Sequence, residues 1–325
     1  MRRRSLLAAA GLARLRLLPS GRFPPGRFPS SLFPLGLSPL GLAPVALRAA
    51  GPLRVVATFS ILADLTRQVG GDTISVDALV GPDGDVHVYE PRPRDLRTLL
   101  AADLLVRNGL GLEGWMDRLT EAAGFKGAVV VAADQVARRT MKQDGGAIAT
   151  DPHAWQDPAN GMLYVRAITD GLAATDPANA VFYRSAAARF SGEISRVDAW
   201  IEAKLGPIPV GQRRIITTHD AFGYYGARYG IEFLSAEGIN TEFEPSAKAI
   251  AALVEQIKRE KVRAVFIENM TSPRMAQMLA RETGAILGGT VYSDALSPPV
   301  GPAATYLDML RYNTKLFADA MGSVK

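Results

Sequence analysis

Only three of the 325 residues are histidines, and the chain has no cysteine. Each histidine sits among turn formers: His87 in GPDGDVHVYEP, His153 in DPHAWQDP and His219 in TTHDAFGYY. Neutral imidazole binds divalent transition metals well, and a carboxylate completes such a shell. Asp294, in GGTVYSDALS, is a carboxylate that can reach the same place. Four protein ligands, His87, His153, His219 and Asp294, make a closed tetrahedral site suited to holding an ion. Three histidines with an open fourth position would instead activate a water, as in a zinc hydrolase. Asp294 separates the two readings, because it is a ligand in the first and a base beside metal-bound water in the second. Taken singly, each histidine is an ordinary polar residue, so the reading depends on convergence.

Convergence requires elements that bring distant residues to one place. Apolar runs at RVVATF (54–59), SVDALV (75–80), LLVRN (104–108) and AVVVA (128–132) read as strands, with amphipathic stretches at 61–69, 93–102 and 115–123 between them. The same alternation returns at RIITTH (214–219), IEFLS (231–235), AVFIE (264–268) and AILGG (285–289), with helical stretches at 246–260, 272–283 and 305–320. Alternation of this kind predicts parallel sheets covered by helices. Between the halves, after a helical stretch at 162–174, residues 177–205 form the longest periodic element. Asp176 and Pro177 open it; Phe182, Ala186, Phe190, Ile194, Val197, Ile201 and Leu205 form its stripe; Gly206 and Pro207 close it. The expected fold is therefore α/β, with two similar lobes, each a parallel sheet with covering helices, joined by one long rigid helix. The expected divisions are a leader at 1–52, an N-terminal lobe at 53–176, the linking helix at 177–205 and a C-terminal lobe at 206–325. In parallel sheets the ligand crevice lies beyond the carboxyl ends of the strands. His219 ends one predicted strand, while His87 and Asp294 follow two others closely.

Of the 37 basic residues, eight are arginines within the first 50 residues, which contain no acidic residue; the remainder carries 29 basic against 32 acidic groups, a net of −3. That balance gives no footprint for nucleic acid. The basic start MRRRSLLAAAGLA and its Arg3-Arg4-Ser-Leu-Leu resemble a twin-arginine export signal. Pro29, Pro34, Pro39 and Pro44 interrupt the uncharged run that follows, which disfavours a membrane-spanning helix there. Cleavage is expected near Ala46, Ala49 or Ala50, and with no cysteine to carry lipid the expected product is exported and soluble.

VATFSILADLTRQVGGD, GPDGDVHVYEP, DPHAWQDP, TTHDAFGYYGARYGI, EGINTEFEPSAKAIAALVEQIKREKVRAVFIE and GGTVYSDALS together resemble the periplasmic metal-binding proteins that serve zinc and manganese ABC importers, the ZnuA/TroA-like cluster. The resemblance runs from about Val55 to the C-terminus. It implies a non-enzymatic solute-binding protein of two lobes bridged by a long helix, with the metal held by His87, His153, His219 and Asp294. It also implies a partner permease in the inner membrane, a periplasmic metallochaperone as a further partner, a monomeric state and a periplasmic location. Zinc is the expected ion and manganese the second, because manganese-type members usually place a glutamate where this chain has His219. The chain departs from many zinc-type members in lacking histidines across 138–150, RRTMKQDGGAIAT.

Several neighbours have expected supporting roles. Glu237, Glu242 and Glu268 are candidates to orient imidazoles; Trp155, Tyr224 and Tyr225 are candidates to wall the cleft; Asp83 and Asp85 are expected to shape the His87 loop through backbone bonds. Metal release is expected through local movement around His153, next to the Gly-rich stretch. Affinity is expected to fall as pH drops below about 6.5.

Overall fold

The structure, a computed structural model, describes residues 51–142, 148–235, 238, 241 and 246–322. The leader expected at 1–52 lies almost wholly outside the described residues, as do Glu237 and Glu242. The first lobe runs β1 (Leu53–Phe59), α1 (Ser60–Gly70), β2 (Ile74–Val80), α2 (Pro93–Leu100), β3 (Leu104–Arg107), α3 (Met116–Ala123) and β4 (Ala128–Val131). Its four strands are parallel in the order β2-β1-β3-β4, with Val55 beside both Val76 and Leu104. Residues 55–59 are all buried, as expected of a strand covered on both faces.

A short antiparallel hairpin, β5 (Thr140–Lys142) and β6 (Ile148–Thr150), leads to α4 (Pro158–Thr175) and then α5 (Ala180–Leu205). The second lobe follows as β7 (Arg214–Thr217), α6 (Gly223–Tyr229), β8 (Glu232–Ser235), α7 (Ala247–Glu260), β9 (Ala264–Glu268), α8 (Pro273–Thr283), β10 (Ile286–Val291) and α9 (Tyr306–Gly322). Its strands are parallel in the order β10-β9-β7-β8, which repeats the first sheet's arrangement. In each sheet the order reverses between the first and third strands, and that reversal opens a crevice at the carboxyl edge.

Helix α5 has 26 residues and is therefore about 39 Å long. It packs against α1 and α4 of the first half and α9 of the second, within a core that runs through both lobes. A second cluster, Ile216, Leu253, Ile257, Val262, Val265, Ala276 and Leu279, fills the space under α7 and α8. Two details of the linking helix differ from expectation. Pro177–Asn179 is a 3-10 turn, so α5 begins at Ala180, and Asp176 accepts hydrogen bonds from Asn179 Nδ2 and Tyr183 Oη, both at 2.7 Å. Phe182 is exposed, and Tyr183 takes its place on the buried stripe. Phe182 precedes Phe190 by eight residues, about 80° out of phase, whereas Tyr183 precedes it by seven, about 20° out.

Strand β7 stops at Thr217, two residues short of His219. Among the described residues no helix is long and apolar enough to cross a membrane.

Candidate metal centre

His87 follows β2 in a tight loop. Asp83 holds a left-handed backbone there (φ 54°), a conformation that Asp tolerates better than most residues. The Asp85 Oδ1 accepts from the His87 backbone N–H at 2.9 Å, and Trp115 Nε1 donates to the Val86 carbonyl at 2.9 Å. Asp85 thus shapes the loop through a backbone bond as expected, whereas the Asp83 side chain bonds Asn269 instead. Both reach the second lobe: Asn269 Nδ2 donates to Asp83 at 2.8 Å and Thr241 Oγ1 donates to Asp85 at 2.5 Å.

His153 follows the hairpin. Asp151 Oδ1 accepts from the His153 backbone N–H at 3.0 Å and stands 2.9 Å from ring Nδ1. An ionised carboxylate only accepts, so Nδ1 carries the proton and Nε2 presents its lone pair. Trp155 lies edge-on to the ring, with centroids 5.3 Å apart. Trp155 Nε1 and Gln156 Nε2 both donate to the Ser293 carbonyl, at 2.8 and 2.7 Å, which ties the His153 segment to that of Asp294. Residues 151–156 are buried throughout.

His219 lies just past β7, where Glu268, at the end of β9, takes up its backbone N–H. The Glu268 Oε1 accepts from the His219 backbone N–H at 2.9 Å and from Thr218 Oγ1 at 2.7 Å, while Oε2 stands 2.5 Å from His219 Nδ1. Asp294 follows β10. Asn313 of α9 grips Tyr292 by both its N–H (3.0 Å) and its carbonyl (2.7 Å), and Ser60 Oγ accepts from the Leu296 N–H at 2.9 Å.

These four segments bring the four side chains together. Asp294 Oδ2 lies 3.1 Å from His87 Nε2 and 3.1 Å from His219 Nε2; Asp294 Oδ1 lies 3.7 Å from His153 Nε2; the Nε2 atoms of His87 and His153 are 3.3 Å apart. All four ligand atoms lie within 4.8 Å of one another. Zinc–nitrogen bonds of about 2.0–2.1 Å imply tetrahedral edges of about 3.3–3.4 Å, close to most of these separations. His153, His219 and Asp294 are fully buried and the His87 side chain is 4% exposed. His219 Nε2 and the Asp294 Oδ1 have no hydrogen-bond partner, which is costly at this depth, whereas His219 Nδ1 is paired with Glu268 Oε2. A single cation at the centre would satisfy both Nε2 and Oδ1.

The charges are mutually arranged. Burial opposes the His219 imidazolium, but the Glu268 and Asp294 carboxylates outweigh it and hold its pKa well above the ordinary 6.5. Burial would raise Asp294, yet His219 and His153 hold it well below the carboxylate range. Glu268 is lowered against burial by His219, and Asp151 against burial by His153 and then Arg139.

Glu268, a candidate in the sequence, thus supports His219. Asp151 was not singled out, although Asp two residues before His in DPH is a signal for a carboxylate that turns back on the ring. Trp155 walls the site as expected. Tyr224 is one step removed, its Oη accepting from Arg139 N–H at 2.9 Å. Tyr225 belongs to the second lobe's aromatic core, packed on Phe233 and Phe317 with its Oη 2.8 Å from Thr314 Oγ1.

Comparison with known proteins places this geometry in context. The model of a family described as "Zinc-uptake complex component A periplasmic" matches residues 55–320. The iron-binding protein YfeA of Yersinia pestis is 32% identical over 273 residues, 84% of this chain and 88% of YfeA. The manganese-binding lipoprotein MntA of Halalkalibacterium halodurans is 32% identical over 269 residues, 83% of this chain and 88% of MntA. The solved structure of the periplasmic zinc binding protein TroA from Treponema pallidum superposes with a TM-score of 0.78 at 26% identity, covering 83% of this chain and 99% of TroA.

Proposed function

The chain belongs to the family of periplasmic zinc-uptake complex component A, and from that premise we propose that it captures a divalent metal, zinc first, and hands it to a membrane permease. The coarse part of this reading, an extracytoplasmic metal-binding component of an ABC importer, follows from the family and from relatives whose names state metal binding. Those relatives are named for iron and manganese and the structural neighbour for zinc, so the choice of ion is carried by this chain's own site.

The observation that carries the assignment of ligands is the convergence of the Nε2 atoms of His87, His153 and His219 on the buried Asp294 carboxylate. Three nitrogens and one oxygen suit tetrahedral zinc, whereas manganese favours oxygen-rich shells and stands at the weak end of the affinity series. With Asp294 as fourth ligand the ion has no open position, and the protein holds cargo rather than activating water; the hydrolase reading requires that position free.

The remaining parts of the proposal follow from this role. Lobes at 53–176 and 206–325 supply two ligands each, with 177–205 as the linking helix. The partners are an inner-membrane permease and a periplasmic metallochaperone, and the protein acts as a monomer. MntA is named a lipoprotein; the present chain has no cysteine to carry a lipid, and we propose a soluble periplasmic form released near Ala50. Purified exported protein, stripped and offered equimolar zinc and manganese, should take up one zinc per chain. Preferential uptake of manganese would overturn the zinc assignment, and uptake of neither would overturn the receptor reading.

A further inference from the structure

The histidine-free segment 138–150 includes Arg139, and that residue connects the hairpin to the site. Asp151 follows β6 and Arg139 precedes β5, so the two face each other one rung beyond the Thr140–Thr150 pair. The Asp151 N–H donates to the Arg139 carbonyl at 2.9 Å, and Arg139 Nη1 donates to Asp151 Oδ2 at 2.9 Å. Oδ1 of the same carboxylate takes both the backbone and the ring Nδ1 of His153. The Arg139 N–H donates to Tyr224 Oη, so the hairpin base is also fixed to α6 of the other lobe.

Gly223 supplies an independent observation. A Cβ built on it would lie 2.0 Å from Arg139 Nη1 and 2.6 Å from Asp151 Oδ2. The Arg139–Asp151 pair therefore rests directly on the backbone of the helix that follows His219, in space only glycine leaves free. The Arg139 side chain is 36% exposed while Asp151 and His153 are fully buried, so the guanidinium lies between solvent and the inner pair.

We propose that Arg139 is a positioning residue for metal capture: its guanidinium fixes one oxygen of Asp151, so that the other holds the His153 ring with Nε2 turned to the metal. Without the arginine the Asp151 carboxylate loses the contact that sets its rotation, and His153 loses its orientation. This inference rests on the ligand set proposed above.

The test uses the full exported chain, with zinc affinity measured by competition with a chromophoric chelator. Long-range proton–nitrogen correlation spectra of the three imidazoles in the metal-free protein report the ring tautomers. R139Q and G223A should each weaken zinc about tenfold, the low end of what outer-shell partners contribute. In both, the His153 signals should lose their single tautomer while those of His87 and His219 stay as in wild type. R138Q, at an exposed neighbour, should change neither reading. Unchanged zinc affinity in R139Q, or disturbance of all three histidines together, would overturn the positioning role. H153A separates the two levels: if it binds zinc as tightly as wild type, the ligand set itself falls, and this inference with it.

Discussion

The raised pKa of His219 makes a prediction in which metal affinity and metal-free stability run in opposite directions with pH. In the metal-free protein His219 is held as imidazolium by Glu268 and Asp294. An ion must displace that proton, so from about pH 6.5 up to the raised value affinity should climb tenfold per pH unit, about 1.4 kcal/mol. The onset of weakening on acidification thus lies above the 6.5 expected from the sequence. The magnitude depends only on the count of one displaced proton. Stability of the metal-free protein has the opposite sign. The folded pKa is raised, so its contribution is fully present below about 6.5 and is lost as pH rises through the folded value, at up to about 1.4 kcal/mol per unit, or about 3–6 °C in Tm. Asp294 and Glu268 are depressed, so their contributions are present above the ordinary carboxylate values and lost only in acid. Buried Asp64 and Glu113 are raised by burial and slope in the same sense as His219. Comparing wild type with His219→Gln removes them from the reading. Melting curves of chelator-treated protein from pH 6.5 to 8 should be steeper for wild type than for the variant, with zinc affinity rising over the same range. A flat zinc affinity, or identical slopes for the two proteins, would contradict a proton held on His219 in the metal-free protein.

Replacing His219 with glutamate should weaken zinc more than manganese, by on the order of tenfold between the two ions, because it exchanges a nitrogen for an oxygen ligand; competition titrations read the ratio. Gly161→Ala should destabilise the protein by about 1–3 kcal/mol in denaturant unfolding, since its Cβ would lie 2.4 Å from Tyr306 Oη, whose hydroxyl donates to the Trp155 carbonyl beside the site. Scattering profiles of metal-free and loaded protein should nearly coincide, because α5 packs on both halves and the Trp155 and Gln156 bonds to Ser293 cross between the lobes; a large change in radius of gyration would contradict this.

The sheets were legible because apolar runs such as RVVATF and AVFIE sit between turn formers, and their burial on both faces leaves little ambiguity. The strand order was not read from the sequence, since pairing is decided by packing across distant segments. Helix α6 went unread because GYYGARY carries two glycines; tertiary contacts explain them, with Gly223 under Arg139 and Gly226 close to the Ile231 carbonyl. The hairpin β5–β6 was hidden in a stretch whose glycines and short strands carry little periodicity. At the site, the four proposed ligands were named from residue type, strand ends and resemblance. Their supports were harder to see. Glu268 was visible as an acid at a strand end, whereas Arg139 and Asn313 act through pairings 12 and 21 residues away that no local pattern announces. Tyr225 shows the converse: an aromatic beside a motif that packs into the core instead.

His87, His153, His219 and Asp294 are proposed to hold one ion as cargo. A crystal of zinc-loaded protein, with anomalous scattering recorded at the zinc edge, tests this most directly. One strong peak is expected, about 2.0–2.2 Å from the three Nε2 atoms and an Asp294 oxygen. A peak elsewhere, or one whose fourth position is water while Asp294 stands back, would contradict it.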